Sequence, residues 1–164
     1  SDGTVTSAKL SGVNEITVAD QWRFTANITA NADPIASNLE QVDTGGQGTI
    51  GSAMTQSSGV FTFPSTGIWL VRFFCRGNSN SSGDNVGIMI NVTTNNSSYA
   101  GIADSYEGGE SDAFTLTCES LVDVTDTSNV KVSFTSQSIT SDSALYGSTS
   151  TNQNAMTFIR LGDT

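Results

Sequence analysis

The sequence predicts an all-β sandwich of the jelly-roll kind, with about eight to ten antiparallel strands. Three observations carry that expectation. Apolar residues recur at every second position along short runs, the period a strand imposes on its side chains. Turn signals rich in Gly, Asn, Asp and Ser separate those runs at short intervals. The one helix-like spacing, Ile35, Leu39 and Val42, meets Asp43-Thr44-Gly45-Gly46 at once, so it reads as an irregular or edge segment.

Ser1–Leu10 (SDGTVTSAKL) carries a turn signal at Asp2-Gly3 and little to bury, and residues 1–20 read as a linker or the end of a shaft. The domain is expected over residues 21–164. Trp22, Phe24, Ala26 and Ile28 alternate with Arg23, Thr25, Asn27 and Thr29, a half-buried strand. Thr49–Met54 is a weak strand leading to the stretch around which the chain is organised, Gly59–Cys75. There Phe61 and Phe63 oppose Val60 and Thr62, Pro64 removes a backbone donor, and Gly67 allows the next strand to start. That next strand has Trp69, Val71, Phe73 and Cys75 on one face and Ile68, Leu70 and Phe74 on the other, broken only by Arg72. A strand apolar on both faces is covered on both faces, so a single chain leaves one face in need of a partner.

Beyond it, Val86, Ile88, Ile90 and Val92 form one face of a strand, and Tyr99–Ala103 a short one. Asp104–Asp112 (DSYEGGESD) reads as an acidic loop. Phe114, Leu116, Cys118, Ser120, Val122 and Val124 face inward on a long strand, followed by Val130, Val132 and Phe134 on the next. Ser136–Asn154 is long and polar, and Ala155–Leu161 is apolar on both faces.

Composition narrows the function. The 164 residues suit one domain with a sizeable core. Six bases against 16 acids give a net charge of −10, which excludes a basic nucleic-acid footprint and disfavours an anionic membrane surface. No segment is long and apolar enough for a membrane helix, and there is no secretory signal pattern. The chain opens on Ser1, so a mature or excised piece of a longer polypeptide is expected. Histidine is absent, which removes Ser-His-Asp and Cys-His catalysis and the commonest transition-metal ligand. No EF-hand spacing occurs among Asp104, Glu107, Glu110 and Asp112, so neither metal nor cofactor is expected. The Asn-x-Ser/Thr sequons at Asn27, Asn80, Asn91, Asn95 and Asn96 arise readily in so Ser/Thr-rich a chain.

With the central hairpin in place, the chain resembles the globular head of complement C1q and its tumour-necrosis-factor-like relatives. The residues that carry the likeness are Phe24-Thr25-Ala26, then Gly59-Val60-Phe61-Thr62-Phe63-Pro64 with Gly67-Ile68-Trp69-Leu70-Val71, and the terminal Thr157-Phe158-Ile159-Arg160-Leu161-Gly162. The Ser1–Leu10 lead-in is similar to the repeats that precede terminal domains of bacteriophage tail fibres. The resemblance implies a ten-stranded jelly roll assembling as a homotrimer, with the Ile68–Cys75 strand beside the C-terminal strand. It also implies that the strands of Cys75 and Cys118 are neighbours. Reduced, core-filling thiols are expected there, because a jelly roll of this size needs no staple.

The expected function is a non-enzymatic trimeric tip of a phage tail fibre that binds a host cell-surface glycan or protein. It would be located on the virion, outside the cell, and joined to the rest of the fibre through its N-terminus. Candidate receptor-binding residues are Asn80, Asp84, Tyr99, Tyr106, Glu107 and Tyr146, because exposed tyrosines among amides and acids suit sugar surfaces. The candidate trimer interface is Ile68, Leu70, Phe74, Met156 and Phe158. The alternative is a structural virion protein, a capsid decoration or head fibre. A glycan hydrolase using acids of the 104–112 segment is disfavoured, because no paired-acid geometry is visible.

Overall fold

The computed structural model describes residues 16–79, 85–108, 111–140 and 142–164. Eleven strands make up the described residues: β1 (Ala19–Phe24), β2 (Leu39–Gln41), β3 (Thr55–Ser57), β4 (Val60–Thr62), β5 (Gly67–Ser79), β6 (Gly87–Thr93), β7 (Ala100–Tyr106), β8 (Ser111–Val124), β9 (Lys131–Gln137), β10 (Ala144–Leu145) and β11 (Asn154–Gly162). They form a six-stranded sheet in the order β8-β5-β11-β1-β2, with β10 beside the end of β5, and a five-stranded sheet in the order β3-β4-β9-β6-β7. Every pairing is antiparallel.

The central strand β5 runs 13 residues with its burial alternating along the whole length. Its neighbours are β11 and β8, as the family resemblance implied, with Leu70 opposite both Ile159 and Leu121. Between the sheets lies one core. Phe61 sits 5.4 Å from Phe134 and 5.3 Å from Phe158 between ring centroids, and Phe63 lies 5.0 Å from Trp69. Each such pair contributes about 0.5–1.5 kcal/mol beyond its buried area. The inward residues expected on β8, Phe114, Leu116, Cys118, Val122 and Val124, all lie in this core.

Polar residues fix the edges. The Asp20 carboxylate, 1% exposed, accepts from the Gln21 and Met54 backbone N–H groups, the Trp22 indole, the Gln41 amide and the Thr49 hydroxyl. That many donors offset the cost of taking a carboxylate out of water. Arg23 is 0% exposed, although its place on β1 reads as a solvent face. Its guanidinium pairs with Glu40 at 2.6 Å and donates to Thr44, Thr149 and Asn152, which ties the segment before β11 down over β1. Asn154 does similar work at the other edge of that segment. Its amide accepts from Phe24 N–H and donates to the Phe24 and Tyr146 carbonyls.

Sequence and structure differ in several boundaries. β1 opens at Ala19 with Val18 already buried, so ordered strand begins two residues before Gln21. It closes at Phe24, and Ile28 instead joins Leu145 through an isolated bridge. Thr49–Met54 forms no strand beyond the single bridge of Ile50 to Ala19. Ser58 and Gly59, both at positive φ, make the two-residue turn from β3 to β4 that suits strand twist. Both ends of the acidic segment are strand, since β7 runs through Asp104 to Tyr106 and β8 begins at Ser111.

Candidate interaction surfaces

The register divides the sandwich into two ends. Ala19 of β1, Ile159 of β11 and Leu70 of β5 stand abreast, so β1 starts and β11 finishes at one end. The short β4–β5, β6–β7 and β8–β9 connections close that same end, because Thr62, Thr93 and Lys131 are abreast in the second sheet. The opposite end carries the β1–β2 connection, the exit of β7 and the segment from β9 through β10 to β11. Gln137 and Tyr106 both stand opposite Gly87 there.

The candidate receptor-binding residues therefore do not form one surface. Tyr106 and Glu107 are adjacent at the end of β7, and Tyr146 follows β10 at the same end of the molecule. Tyr99 precedes β7 at the other end, where β1 starts and β11 finishes, and its partial burial raises its pKa. Asn80 and Asp84 lie outside the described residues, as do the side chains of Glu110 and Asp112. Tyr106 is 40% exposed yet fixed. Its hydroxyl donates to Gln137 Oε1 at 2.7 Å, and its ring lies against Gly87, where a Cβ would come within 2.2 Å of the ring. A glycine on β6 is thus required for the ring to lie flat. Tyr146 is held by its backbone N–H on Arg76 O at 2.8 Å.

The candidate trimer interface is corrected in part. Ile68, Leu70 and Phe74 occupy the outward face of β5 and are half-buried in the single chain. Met156 and Phe158 fill the core instead, because Met156 stands opposite Trp22 and Phe73, and Phe158 opposite Val71. The alternation of β11 gives its outward face to Thr157, Ile159 and Leu161. A strand apolar on both faces offers no parity signal, so the face was not readable from that strand alone.

The outward residues line up across the sheet. Ile50, Ala19, Ile159, Leu70 and Leu121 form one cross-strand row, and Ile68 and Leu161 extend it toward the termini. Leu121 is 62% exposed and Leu161 53%, values that a lone chain has reason to avoid in an apolar row. Sequence reasoning missed Leu121. Its signal is visible afterwards as the one large apolar side chain among Thr117, Glu119 and Asp123 at outward positions of β8. Past Leu121 the surface turns into a groove of about 240 Å3 between the open edges of β7 and β8, lined by Val92, Ile102, Val122 and Val130 among others.

Both thiols are free and buried. Cys75 stands opposite Leu116 and Cys118 opposite Phe73, which sets the cysteines diagonally on adjacent strands. Diagonal neighbours lie about 7–8 Å apart, beyond the Cα range of about 4.4–6.8 Å that a disulfide spans. Burial drives the Cys75 thiol well above its ordinary range, and burial with the nearby Asp104 carboxylate pushes Cys118 up to about 12. Neither is a nucleophile at neutral pH. Among the described residues no helix is long and apolar enough to cross a membrane.

No protein-family model matches the chain, and no curated protein sequence does. Among solved structures the chain is similar to Eiger TNF from S. frugiperda, with a TM-score of 0.68 at 9% identity over 92% of this chain and 96% of that one. It is also similar to murine APRIL at pH 5.0, with a TM-score of 0.64 at 10% identity over 88% of this chain and 98% of that one. At such identities the shared property is the fold, a TNF-like jelly roll.

Proposed function

We propose that the chain is the non-enzymatic tip of a bacteriophage tail fibre, a homotrimer that adheres to a receptor on the host cell surface. Residues before β1 belong to the end of the shaft, and the sandwich from Ala19 onward is the tip domain displayed outside the cell on the virion. The observation that carries this reading is the apolar row Ile50-Ala19-Ile159-Leu70-Leu121 on the outward sheet face, with the β1–β2 connection and the segment from β9 to β11 at the end opposite the start of β1. The row lies on a sheet face and the groove on a sheet edge. A contact between two such different patches is head-to-tail, and it closes as a ring when each copy is turned by one third of a revolution from the last. A three-fold ring places three copies of the loop end together at the tip of a shaft, and three weak contacts then act as one strong one.

The experiment is adsorption of the purified tip to host bacteria, with light scattering alongside. Tyr106→Ala and Tyr146→Ala are expected to lower adsorption at least tenfold while the trimer stays intact, by loss of aromatic contact area. Variants that adsorb as well as the parent would turn the reading toward a structural head fibre or capsid decoration.

A further inference from the structure

We propose that the open pocket formed by the β1–β2 connection binds one neutral sugar ring. This deepens the adhesive reading and rests on it for its biological setting. The pocket holds about 210 Å3 and is walled by residues 26–32 and 35–38. Drug-sized ligands need roughly 300–1,000 Å3, so this space suits a single small ring.

The chemistry of the wall selects the class. None of its lining side chains is ionisable, in a chain of net charge −10. Three asparagines, Asn27, Asn31 and Asn38, line it together with Thr29, Ser37 and the buried Ile35. Two of the amides are oriented by fixed partners. Asn27 Oδ1 accepts from Gly147 N–H at 3.0 Å, and Asn31 Oδ1 accepts from Ile139 N–H at 2.8 Å. A backbone N–H identifies the bonded atom as oxygen, so each side chain keeps its NH2 group for a further acceptor. Sugar hydroxyls are such acceptors and donate in return to Thr29 and Ser37. An acidic sugar would gain no cation here and would meet the field of an acidic protein.

The wall is also built before any ligand arrives. Ile28 and Leu145 exchange backbone hydrogen bonds at 2.9 and 3.0 Å, Ala32 and Ser136 at 3.1 and 2.9 Å, and Thr25 N–H reaches Asn38 O at 2.7 Å. These ties hold both arms of the connection against the sandwich, which lowers the ordering cost of binding. The pocket shares its end of the molecule with Tyr106 and Tyr146.

The test is a two-dimensional amide NMR titration of the full chain with methyl glycosides of glucose, galactose and mannose and with N-acetylglucosamine, against glucuronate and sialic acid as charged controls. At least one neutral probe is expected to shift the Asn27, Asn31 and Asn38 amides with a Kd of millimolar order, about what one ring earns. Asn27→Asp and Asn31→Asp keep the acceptor that each anchor needs and remove the NH2, so each is expected to weaken that probe about tenfold. Ala36→Leu, which adds bulk to a lining residue that makes neither anchor bond, is expected to do the same. Shifts confined to the Tyr106 or Tyr146 region, preference for a charged probe, or no shift with any neutral probe overturns the proposal. Host adsorption separates the two readings: a parent tip that adsorbs while the titration fails leaves adhesion standing, and a parent that binds sugar without adsorbing leaves the pocket standing.

Discussion

On the outward side of the five-stranded sheet, Asn91 and Thr93 of β6 stand beside Ser133 and Lys131 of β9. Asn91 donates to Thr135 Oγ1 at 2.7 Å, and Thr135 donates on to Asp33 at 2.9 Å. On the outward side of the six-stranded sheet, Leu121, Leu70 and Ile159 stand abreast and partly exposed, with a loose Arg72–Glu119 pair at 3.7 Å farther along β5 and β8. The two faces follow one alternation but differ in how they are completed. Polar side chains satisfy one another within a single chain. Apolar ones are satisfied only when something displaces their water, and a half-exposed row needs a second surface. On the proposed trimer, the difference assigns the contact to the six-stranded face and leaves the five-stranded face free.

The largest expected effect comes from breaking the open face. Leu70→Asp places a carboxylate where Leu121 and Ile159 would be desolvated by a neighbour, at a cost of several kcal/mol, and is expected to leave monomer at micromolar concentration. Thr62→Asp, on the opposite face beside Lys131, is expected to keep the parental mass. Light scattering on the two variants compares the faces directly.

Adjacent residues of β11 sharpen the contrast. Phe158 packs against Phe61, Phe63 and Phe134, so Phe158→Ala is expected to cost about 3–5 kcal/mol at every protein concentration. Ile159→Ala, one residue along, is expected to cost less and to cost more on dilution, because its loss is felt in assembly. Urea melts at two concentrations distinguish the cases.

The thiols give a smaller effect on the closed side. Their pKa values are raised in the folded chain, so the unfolded chain releases protons first as pH rises. The thiols' contribution to stability is complete below pH 9.0 and is lost between 9.0 and about 12 as Cys118 is approached. Below pH 9.0 a thiol reagent is expected to modify neither cysteine until the protein is denatured, and then both; a denatured, unreduced sample with no reactive thiol would mean a disulfide. The smallest effect is at Asp126, where Ser128 N–H at 2.7 Å and the Asn129 amide hold the carboxyl below its usual value of 3.8. Its contribution is present above that pH and lost below it, and Asp126→Asn should flatten the acid limb slightly.

Where one residue type at one parity decides burial, the sequence was readable. The two faces of β5, the inward row of β8 and the pairing of β5 with β11 follow from alternation and from the family likeness around Gly59–Val71. Where burial is decided by what folds over a strand, it was not. Arg23 reads as a solvent position because its cover, Thr149 and Asn152, comes from a stretch with no periodicity of its own. Asp20 reads as linker because its donors are spread from Gln21 to Met54. The site divided similarly. Tyr106 and Glu107 are neighbours in sequence although the strand end that carries Tyr106 reads as loop, whereas the distance of Tyr99 from them depends on which way β7 runs, and the β1–β2 pocket depends on ties to Leu145 and Ser136 far along the chain.

The mass of the unmodified protein in solution bears on all of this. Sedimentation equilibrium at micromolar concentration is expected to give three times the 17.1 kDa of one chain. A stable monomer would mean that the row from Ile50 to Leu121 stands in water unaided, and it would contradict the assembly on which the proposed tip depends.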